Sequence, residues 1–320
     1  MTFPTRTLAV LLISLLIPLG MARAQTPLRI VVPFTPGGGA DQYVRQLAAT
    51  LGQHGLTAVV DNKPGASGIL AADAVAHARP DGQTVLISSL AIMAINTVVF
   101  DRLPYNPAKD LTSVSHIGYQ PALIVGRSDL PYKNVKEMVD YARANPGKIN
   151  RGSTGANTMA NLAQVKFEQT AGISTTHVPF NGDTPALQAL IGGSIDIHIT
   201  SITAILGHVK SGKLRVLGVM DTRRLPQVPD APTFKEMGYD MQASLWYTMA
   251  APAATPKATV DRINQAVNQV MADPEFIAKA ATMGMEPRSG SVDDVRNFVA
   301  KESDYWIPVF RSLNLPKQGY

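Results

Sequence analysis

The hydrophobic and polar positions along this chain alternate between short apolar runs and amphipathic stretches. Residues 28–34 (LRIVVPF) form a dense apolar run of strand type that ends at a glycine-rich turn. From about Asp41, apolar residues recur at three- and four-residue spacing through Val44, Leu47 and Leu51, which is typical of one face of a helix. Because helices layered on a mostly parallel sheet produce this alternation, the sequence predicts an α/β fold.

The same alternation continues in two blocks of the chain. Predicted helices include residues 69–78 in the first block and 134–144 in the second, and residues 223–233 contain three prolines that predict an irregular segment. Three helical segments are expected near the C-terminal end. The further predicted strands are 58–62, 84–89, 149–153, 175–179, 195–200, 214–220 and 245–250.

This order of elements predicts two α/β lobes, with the chain crossing between them more than once. We expect residues 25–127 together with 236–320 to form the first lobe, and residues 128–235 to form an inserted second lobe. Since ligands usually bind in clefts between such units, the expected binding site is the interlobe cleft.

The first 24 residues have the features of a secretory signal peptide. Arg6 gives a positively charged start, residues 8–21 form an uncharged apolar run, and residues 22–24 (ARA) place small residues where a signal peptidase cleaves. The apolar run is shorter than the about 20 residues that span a bilayer, so a membrane-anchoring helix is the less favoured alternative. We expect cleavage after Ala24 and export of residues 25–320 to the periplasm as a soluble protein.

Composition and charge exclude several classes of function. The chain has no cysteine, which rules out disulfides, thiolate metal sites and cysteine nucleophiles. The formal net charge is +5, and without Arg6 and Arg23 it falls to +3, because 27 basic and 24 acidic residues remain. A surplus this small, with no cluster of Lys and Arg, gives little support for nucleic-acid binding.

The search for catalytic and cofactor motifs is negative. The segment 37–42 (GGGADQ) begins a predicted helix, but Gln42 stands where a dinucleotide fingerprint needs its last glycine. No GxxxxGK[ST] or HExxH motif occurs, and Ile69 occupies the place of the second glycine of a nucleophile elbow. His177 and His198 fall in predicted strands and are interpreted as core or cleft residues rather than metal ligands. We therefore expect no cofactor, no metal and no catalytic residue.

The glycine-rich loop after the first strand is the strongest candidate ligand site. Glycines just before a helix leave backbone N–H groups unpaired at the positive end of the helix dipole, where an anion can accept several hydrogen bonds. Asp41 is expected at or beside the N-cap, where it would orient the loop and could accept from a ligand. An ordinary turn is the alternative. The expected ligand-binding residues are Thr35, Pro36, Gly37, Gly38, Gly39 and Asp41.

A second loop of this kind lies in the second block, at residues 151–158 (RGSTGANT). Its hydroxyl and amide groups can donate hydrogen bonds to a carboxylate, and the helix that follows adds its own N–H groups. Two anion-binding loops, one in each lobe, predict that the lobes close around a small carboxylate. The expected ligand-binding residues of the second loop are Ser153, Thr154, Asn157 and Thr158.

Several short motifs also occur in order along residues 25–320. They include IVVPFTPGGGAD at 30–41, NKPGASG at 62–68, PDGQT at 80–84, HVPFNG at 177–182, GGSID at 192–196 and APAATP at 251–256. Each motif is weak alone, but their number and order are specific. In these motifs the chain resembles the Bug-type, or TctC-like, periplasmic solute-binding receptors of the tripartite tricarboxylate transporter system.

The resemblance implies a type II periplasmic-binding fold, in which two α/β lobes close on a small carboxylate. It also implies a ligand wall after a first-lobe strand and an opposite grip on loops of the second lobe. Trp246 and Tyr247 are expected either to pack over a ligand at the hinge or to seal the interlobe core. The further expected ligand-binding residues are Ser88, Ser89, Leu90, Phe180, Asn181, Gly182, Thr184, Thr200 and Ser201.

Two departures from the family pattern bear on the ligand. Asn161 stands where many members have a histidine, and Thr200 and Ser201 replace an acidic or Asn-bearing run. Because fewer charged groups are expected in the pocket, an amine-bearing ligand is disfavoured. The expected ligand is a dicarboxylate or an aromatic carboxylate.

The resemblance further implies a monomeric receptor, not an enzyme, that delivers its ligand to the membrane permease subunits of a tripartite tricarboxylate-type transporter. No nucleic-acid partner is expected. Two alternatives stay open at this point. An exported enzyme using the same cleft would need a nucleophile and a base, which no motif supplies, and a ligand-sensing partner of a signalling membrane protein would have the same sequence features.

Overall fold

Two five-stranded sheets organise the part of the chain that the computed structural model describes, namely residues 26–155, 158–312, 317 and 319. The predicted signal peptide, residues 1–24, lies outside these residues. The strands are β1 (Leu28–Val32), β2 (Ala58–Asn62), β3 (Thr84–Ser88), β4 (Leu111–Pro121), β5 (Leu123–Arg127), β6 (Asn150–Ser153), β7 (Thr176–Pro179), β8 (Ile197–Thr200), β9 (Leu214–Val219) and β10 (Ser244–Pro252).

The helices pack on both faces of these sheets, and several begin at side-chain caps. Asn134 caps one helix by accepting from the N–H of Glu137, and Asp273 caps another. The helices are α1 (Gly39–Gln53), α2 (Ile69–Ala76), α3 (Asn96–Val99), α4 (Pro107–Asp110), α5 (Val135–Ala144), α6 (Met159–Ala171), α7 (Asp183–Ile191), α8 (Ile202–Lys210), α9 (Lys257–Met271), α10 (Pro274–Thr282) and α11 (Val292–Ser312). A 3₁₀ turn at Ala66–Gly68 and a π-helical turn at Ala91–Ile95 complete the set.

The first sheet has the strand order β2-β1-β3-β10-β4. β1 runs parallel to β2 and β3, so that Ile30 lies opposite Val60 on one side and Val85 on the other. β10 enters antiparallel between β3 and β4. A strand from near the end of the chain therefore occupies an interior position in a sheet that the first residues begin.

The second sheet has the order β7-β6-β8-β5-β9. β6 is parallel to β7 and β8, whereas β5 is antiparallel to both of its neighbours. In both sheets the loops after the parallel strands lie at one edge, because parallel strands end on the same side. Those two edges face each other and form the walls of a cleft.

Each sheet is covered by apolar helix faces. The predicted face of α1 is buried, with Val44, Leu47 and Leu51 in one apolar cluster with residues of β1 and β3. In the second lobe, Phe167 of α6 packs edge-on against Phe234 at 4.9 Å between ring centres. Each fully buried side chain of this size contributes about 1.5–3 kcal/mol relative to exposure to water, so these faces hold the helices in place.

The chain crosses between the lobes at two adjacent points. β4 leads into β5 through Ala122, and the return to β10 passes through Ala243, whose carbonyl accepts from the N–H of Ala122 at 2.9 Å. β5 pairs within the second sheet, so sheet membership changes after Pro121, whereas the sequence places the lobe boundary after Arg127. In the described part of the chain, no helix is long and apolar enough to cross a membrane.

Candidate functional site

The cleft between the lobes contains two connected spaces. The inner space has a cavity volume of about 60 Å³ and the outer space of about 400 Å³. Ten of the residues expected from sequence line them. Those of the inner space are Thr35, Gly38, Ser89, Leu90, Thr154, Thr158 and Thr200, and those that line only the outer space are Phe180, Asn181 and Gly182.

The glycine-rich loop places the start of α1 at this cleft. Gly38 is the N-cap residue of α1. No side chain caps this helix, so the N–H groups of its first turn have no capping side chain to donate to. Gly38 and Ala40 line the inner space. Since α1 is 15 residues long, its dipole adds a partial positive charge at this end. The arrangement suits an anion.

Asp41 does not line the cleft but holds the loop from behind. Its carboxylate is buried and accepts hydrogen bonds from the Gly37 N–H at 2.8 Å, Arg45 Nε at 2.9 Å and Asn62 Nδ2 at 2.8 Å. Burial opposes ionisation, but these three donors together keep the pKa of Asp41 below its ordinary value. Asp41 therefore holds the loop through its bond to Gly37, and its capacity to accept hydrogen bonds is already used by protein donors.

The second loop presents threonine hydroxyls to the cleft. Thr158 is the N-cap of α6, where its Oγ1 accepts from the Asn161 N–H at 3.4 Å and donates to the Gly155 carbonyl at 2.9 Å. Thr154 lines both spaces beside it. Asn157, also expected here, lies outside the described residues.

A buried polar cluster lies behind this loop. Arg151 forms an ion pair with Glu168 at 2.8 Å and donates to Asn161. Ser153, expected to line the cleft, instead contacts His177, with Oγ and Nε2 2.7 Å apart. Burial and the nearby Arg151 lower the pKa of His177 to about 4, so this imidazole is neutral at neutral pH.

Three further expected residues lie beside the cleft rather than in its lining, namely Gly39, Ser88 and Ser201. Ser88 is fully buried in β3 with its Oγ 2.6 Å from Thr248 Oγ1. Ser201 is buried at the N-cap of α8, and a Cβ on Gly39 would approach its Oγ to 2.4 Å. Two helix N-termini, those of α1 and α8, therefore approach each other closely at this point.

The loop before α7 joins the two lobes directly. Gly182 has a φ of +115°, and a Cβ there would lie 2.7 Å from Thr35 Oγ1, so only glycine fits. Thr35 Oγ1 donates to Thr184 Oγ1 at 3.3 Å, and Thr184 Oγ1 donates to the exposed Pro36 carbonyl at 3.0 Å. The hydrogen bond between Thr184 and Pro36 thus connects the lobes. The Gly37 N–H instead donates to Asp41 within the first loop.

Asp183 is a cleft residue that lies inside a loop expected to grip the ligand, residues 181–184, but was not among the expected ligand-binding residues. It is the first residue of α7 and lines the inner space, with its Oδ1 3.0 Å from His198 Nε2 and accepting from Thr200 Oγ1 at 2.9 Å. The two flanking residues, Gly182 and Thr184, were expected from the resemblance. An acidic residue at the start of a helix in this loop was the available signal.

The far wall of the inner space is apolar and aromatic. Leu90, Leu245, Trp246 and Tyr247 line it together with Ile199. Trp246 also donates from its Nε1 to Glu302 at 2.8 Å, on the side of the first lobe. Trp246 and Tyr247 therefore line the cleft, and Trp246 is also anchored to the first lobe; whether they pack over a ligand or seal the interlobe core stays a prediction.

The side chains of the cleft also bear on metal binding. Among residues 26–155, 158–312, 317 and 319, no group of three or more His, Asp and Glu side chains is arranged to hold a metal ion. The polar groups that line the cleft include hydroxyls, backbone N–H groups, the side-chain amide of Asn181 and the carboxylate of Asp183.

Two α/β lobes with this cleft define the class of periplasmic binding proteins, and solved proteins of that class share the fold. The model of the tripartite tricarboxylate transporter family receptors matches residues 41–315, so the chain belongs to this family. Its members are receptors rather than enzymes. The predicted family and the predicted type II periplasmic-binding fold are confirmed.

Individual relatives cover nearly the whole chain. Protein BugT of Bordetella pertussis is 31% identical over 288 residues, which are 89% of this chain and 88% of that protein. A solved structure of Rpa4515 of R. palustris with adipate has a TM-score of 0.88 at 31% identity and covers 93% of this chain and 100% of that one. MatC of Rhodopseudomonas palustris with bound malate has a TM-score of 0.82 at 29% identity, covering 88% and 98%.

Proposed function

We propose that this protein is a periplasmic receptor that captures a small organic carboxylate between its lobes and delivers it to the membrane permease subunits of a tripartite tricarboxylate-type transporter. The observation that carries the proposal is the start of α1, which reaches the cleft wall without a side-chain cap. A ligand carboxylate there can accept backbone N–H hydrogen bonds without any arginine. On the opposite wall Thr154 can supply a hydroxyl donor, whereas the hydroxyls of Thr158 and Thr200 already donate to the Gly155 carbonyl and to Asp183.

The relatives support a carboxylate as the ligand. Rpa4515 was solved with adipate and MatC with malate, both of which are small carboxylates. In this chain the apolar wall around Leu90, Leu245 and Trp246 fits the carbon skeleton of such a molecule. We propose a dicarboxylate or an aromatic carboxylate, with one carboxylate on the first loop.

Capture requires the lobes to move as units. We propose that they follow the predicted division into residues 25–127 with 236–320 and residues 128–235, with the boundaries shifted to the crossings at Ala122 and Ala243. The hydrogen bonds of Thr184 to Thr35 and Pro36 support a closed state in which the ligand is enclosed. The proposed receptor is a monomer.

A thermal-shift panel tests the function. Residues 25–320 are melted alone and with aliphatic, tricarboxylic and aromatic carboxylates and acidic amino acids. A ligand that binds only the folded protein stabilises it by about 2.7 kcal/mol at one hundred times its dissociation constant, which raises the melting temperature by several degrees. We expect a selective rise with one carboxylate class.

A matched pair of variants completes this experiment. Gly38→Leu places a side chain between the loop and Asp183, because even a Cβ there lies 3.4 Å from Asp183 Cβ, and it should abolish the shift. Gly52→Ala, on the same helix with open space around it, should keep the shift. If no carboxylate raises the melting temperature of the unsubstituted protein, the proposed function is wrong.

The proposed export has its own test. In cells that make the full chain, mass spectrometry of the periplasmic fraction should find a protein that begins at Gln25. Recovery of the uncleaved chain from the membrane fraction would instead support an anchoring helix.

A further inference from the structure

Asp183 contributes a carboxylate to a cleft whose proposed ligand is itself a carboxylate. Its side chain is 19% exposed and faces the first loop, where a Cβ on Gly38 would lie 3.9 Å from Asp183 Oδ2. Among the described residues that line the inner and outer spaces, it is the one with a formally charged side chain. Its hydrogen-bonding capacity therefore affects which ligands fit.

The hydrogen bonds of His198 determine where a proton lies. His198 is fully buried, and its Nδ1 is 3.1 Å from the Gly152 carbonyl oxygen. A carbonyl oxygen only accepts, so Nδ1 carries a hydrogen. The other ring nitrogen, Nε2, lies 3.0 Å from Asp183 Oδ1. Two lone pairs do not face each other at this distance, so a proton lies between Nε2 and Oδ1.

The proton between His198 Nε2 and Asp183 Oδ1 can belong to either residue, and the consequence for Asp183 is the same. If the proton belongs to the imidazole, His198 is a cation and Asp183 an anion. If it belongs to the carboxyl group, both residues are neutral and the hydrogen is on Oδ1. In each case the pair of side chains has no net charge. Thr200 Oγ1 donates to the same Oδ1 at 2.9 Å, which completes that oxygen's partners.

The second oxygen of Asp183 is consequently an acceptor only. Oδ2 has no hydrogen in either state, and it has no hydrogen-bond donor among the described residues. A ligand group placed against it must donate a hydrogen bond. A ligand carboxylate or ether oxygen in that position would bring lone pairs together and leave both acceptors without water, which is costly in a closed cleft.

We propose that Asp183 Oδ2 makes this receptor select carboxylates that also carry a hydrogen-bond donor, either a hydroxyl or an ammonium group. This inference rests on the proposed function, because it assumes that the ligand's carboxylate lies on the first loop. It narrows the ligand class and revises the sequence-based expectation that the pocket disfavours an amine. His198 and Thr200 act as positioning residues that keep Oδ2 an acceptor.

Isothermal titration calorimetry with matched ligands tests the proposal. Succinate is compared with malate and aspartate, which add a hydroxyl and an ammonium group to the same four-carbon skeleton. Adipate is compared with 6-aminohexanoate, and benzoate with 4-hydroxybenzoate. We expect the donor-bearing member of at least one set to bind about tenfold more tightly than its plain counterpart. Malate and aspartate distinguish the two donor types.

Two variants test whether Asp183 causes the preference for ligands that carry a hydrogen-bond donor. Asp183→Ala removes the acceptor and should bring the preferred ligand to the affinity of its plain counterpart. Asp140→Ala, which removes an exposed carboxylate on α5, should keep the full preference. Melting curves without ligand establish that both variants are folded, and the comparison within the unsubstituted protein needs no variant.

The possible outcomes distinguish a failure of the donor preference from a failure of carboxylate binding itself. Equal binding within every set, or tighter binding of the plain members, overturns the inference and leaves the carboxylate receptor intact. A preference that survives in Asp183→Ala also overturns it, because another residue must then recognise the donor. If no carboxylate binds at all, the proposed function itself fails and the inference fails with it.

Discussion

Asp41 illustrates how one buried carboxylate can govern a site that it does not touch. Replacing it with alanine leaves the Gly37 N–H without its acceptor and removes one of the two acceptors of Asn62 Nδ2, which also donates to the Phe34 carbonyl. We expect Asp41→Ala to destabilise the protein by about 1–3 kcal/mol and to weaken carboxylate binding at least about tenfold. Chemical denaturation and titration calorimetry measure the two effects.

Arg45→Ala is the control for this prediction. It removes one of the three donors to the Asp41 carboxylate; the arginine side chain is 52% exposed and the Gly37 and Asn62 donors remain, so it should cost less stability than Asp41→Ala. Unchanged affinity in Asp41→Ala would show that the loop keeps its shape without the carboxylate.

His116 gives the stability of the protein a defined dependence on pH. It is buried in β4, and its burial, with a contribution from Arg288, lowers its pKa to about 4. The unfolded chain, with an ordinary histidine pKa near 6.5, therefore binds more protons between these values. Stability is present above about pH 6.5 and is lost as the pH falls towards 4.

His116→Leu should remove that share of the pH dependence. Between pH 7 and pH 5, we expect the variant to lose about 2 kcal/mol less stability than the unsubstituted protein, by urea denaturation at each pH. His177, whose pKa is lowered in the same way, continues to contribute in both proteins. Equal losses in the two proteins would contradict the assignment.

At the level of elements, the contact between α1 and α8 depends on a missing side chain. A Cβ on Gly39 would approach Ser201 Oγ to 2.4 Å and Thr203 Cβ to 3.1 Å. Gly39→Ala should therefore separate the two helices and weaken ligand binding several-fold, although alanine favours helix formation. Calorimetric titration with a carboxylate that binds the unsubstituted protein measures this loss.

A second substitution can restore the contact. Ser201→Gly in the Gly39→Ala background removes the nearest clashing atom and should recover part of the affinity. Gly52→Ala, elsewhere on α1, should bind normally. If the double variant binds no better than Gly39→Ala, the loss has a cause other than this contact.

The elements that the sequence predicted well have strong periodicity or distinctive turns. The apolar run of β1, the helical face of α1 and the glycines between them determine one loop, and the structure places Gly38 at the cleft. β4 was not predicted, because its sequence LTSVSHIGYQP mixes small, hydroxyl and histidine side chains without clear alternation.

Which residues face the cleft was harder to predict than which loops form it. Successive residues of a strand point to opposite faces, so Ser88 turns to Thr248 while Ser89 lines the cleft. The same uncertainty at the end of β6 separates Ser153 from Thr154. Asp183 was not named because its role depends on His198, a partner on strand β8 that no sequence spacing reveals.

For the whole molecule, polar contacts join the lobes at more than one place, among them Thr184 to Pro36, Thr203 to Gln120 and Arg223 to Glu286. Thr184→Val keeps the shape of the side chain but removes the hydroxyl that donates to the Pro36 carbonyl. We expect the variant to populate a more open state and to show a larger radius of gyration in small-angle X-ray scattering than the unsubstituted protein. Identical scattering curves would show that other contacts hold the lobes together.

The interior position of β10 in the first sheet also bears on the order in which the chain folds. Residues 122–243 are continuous and contain every strand of the second sheet. The first sheet lacks a strand between β3 and β4 until residues 244–252 are available. In a chain that crosses a membrane with its amino end first, the second sheet can therefore form before the first sheet is complete. During that interval β3 and β4 have unpaired edges at the position that β10 later occupies.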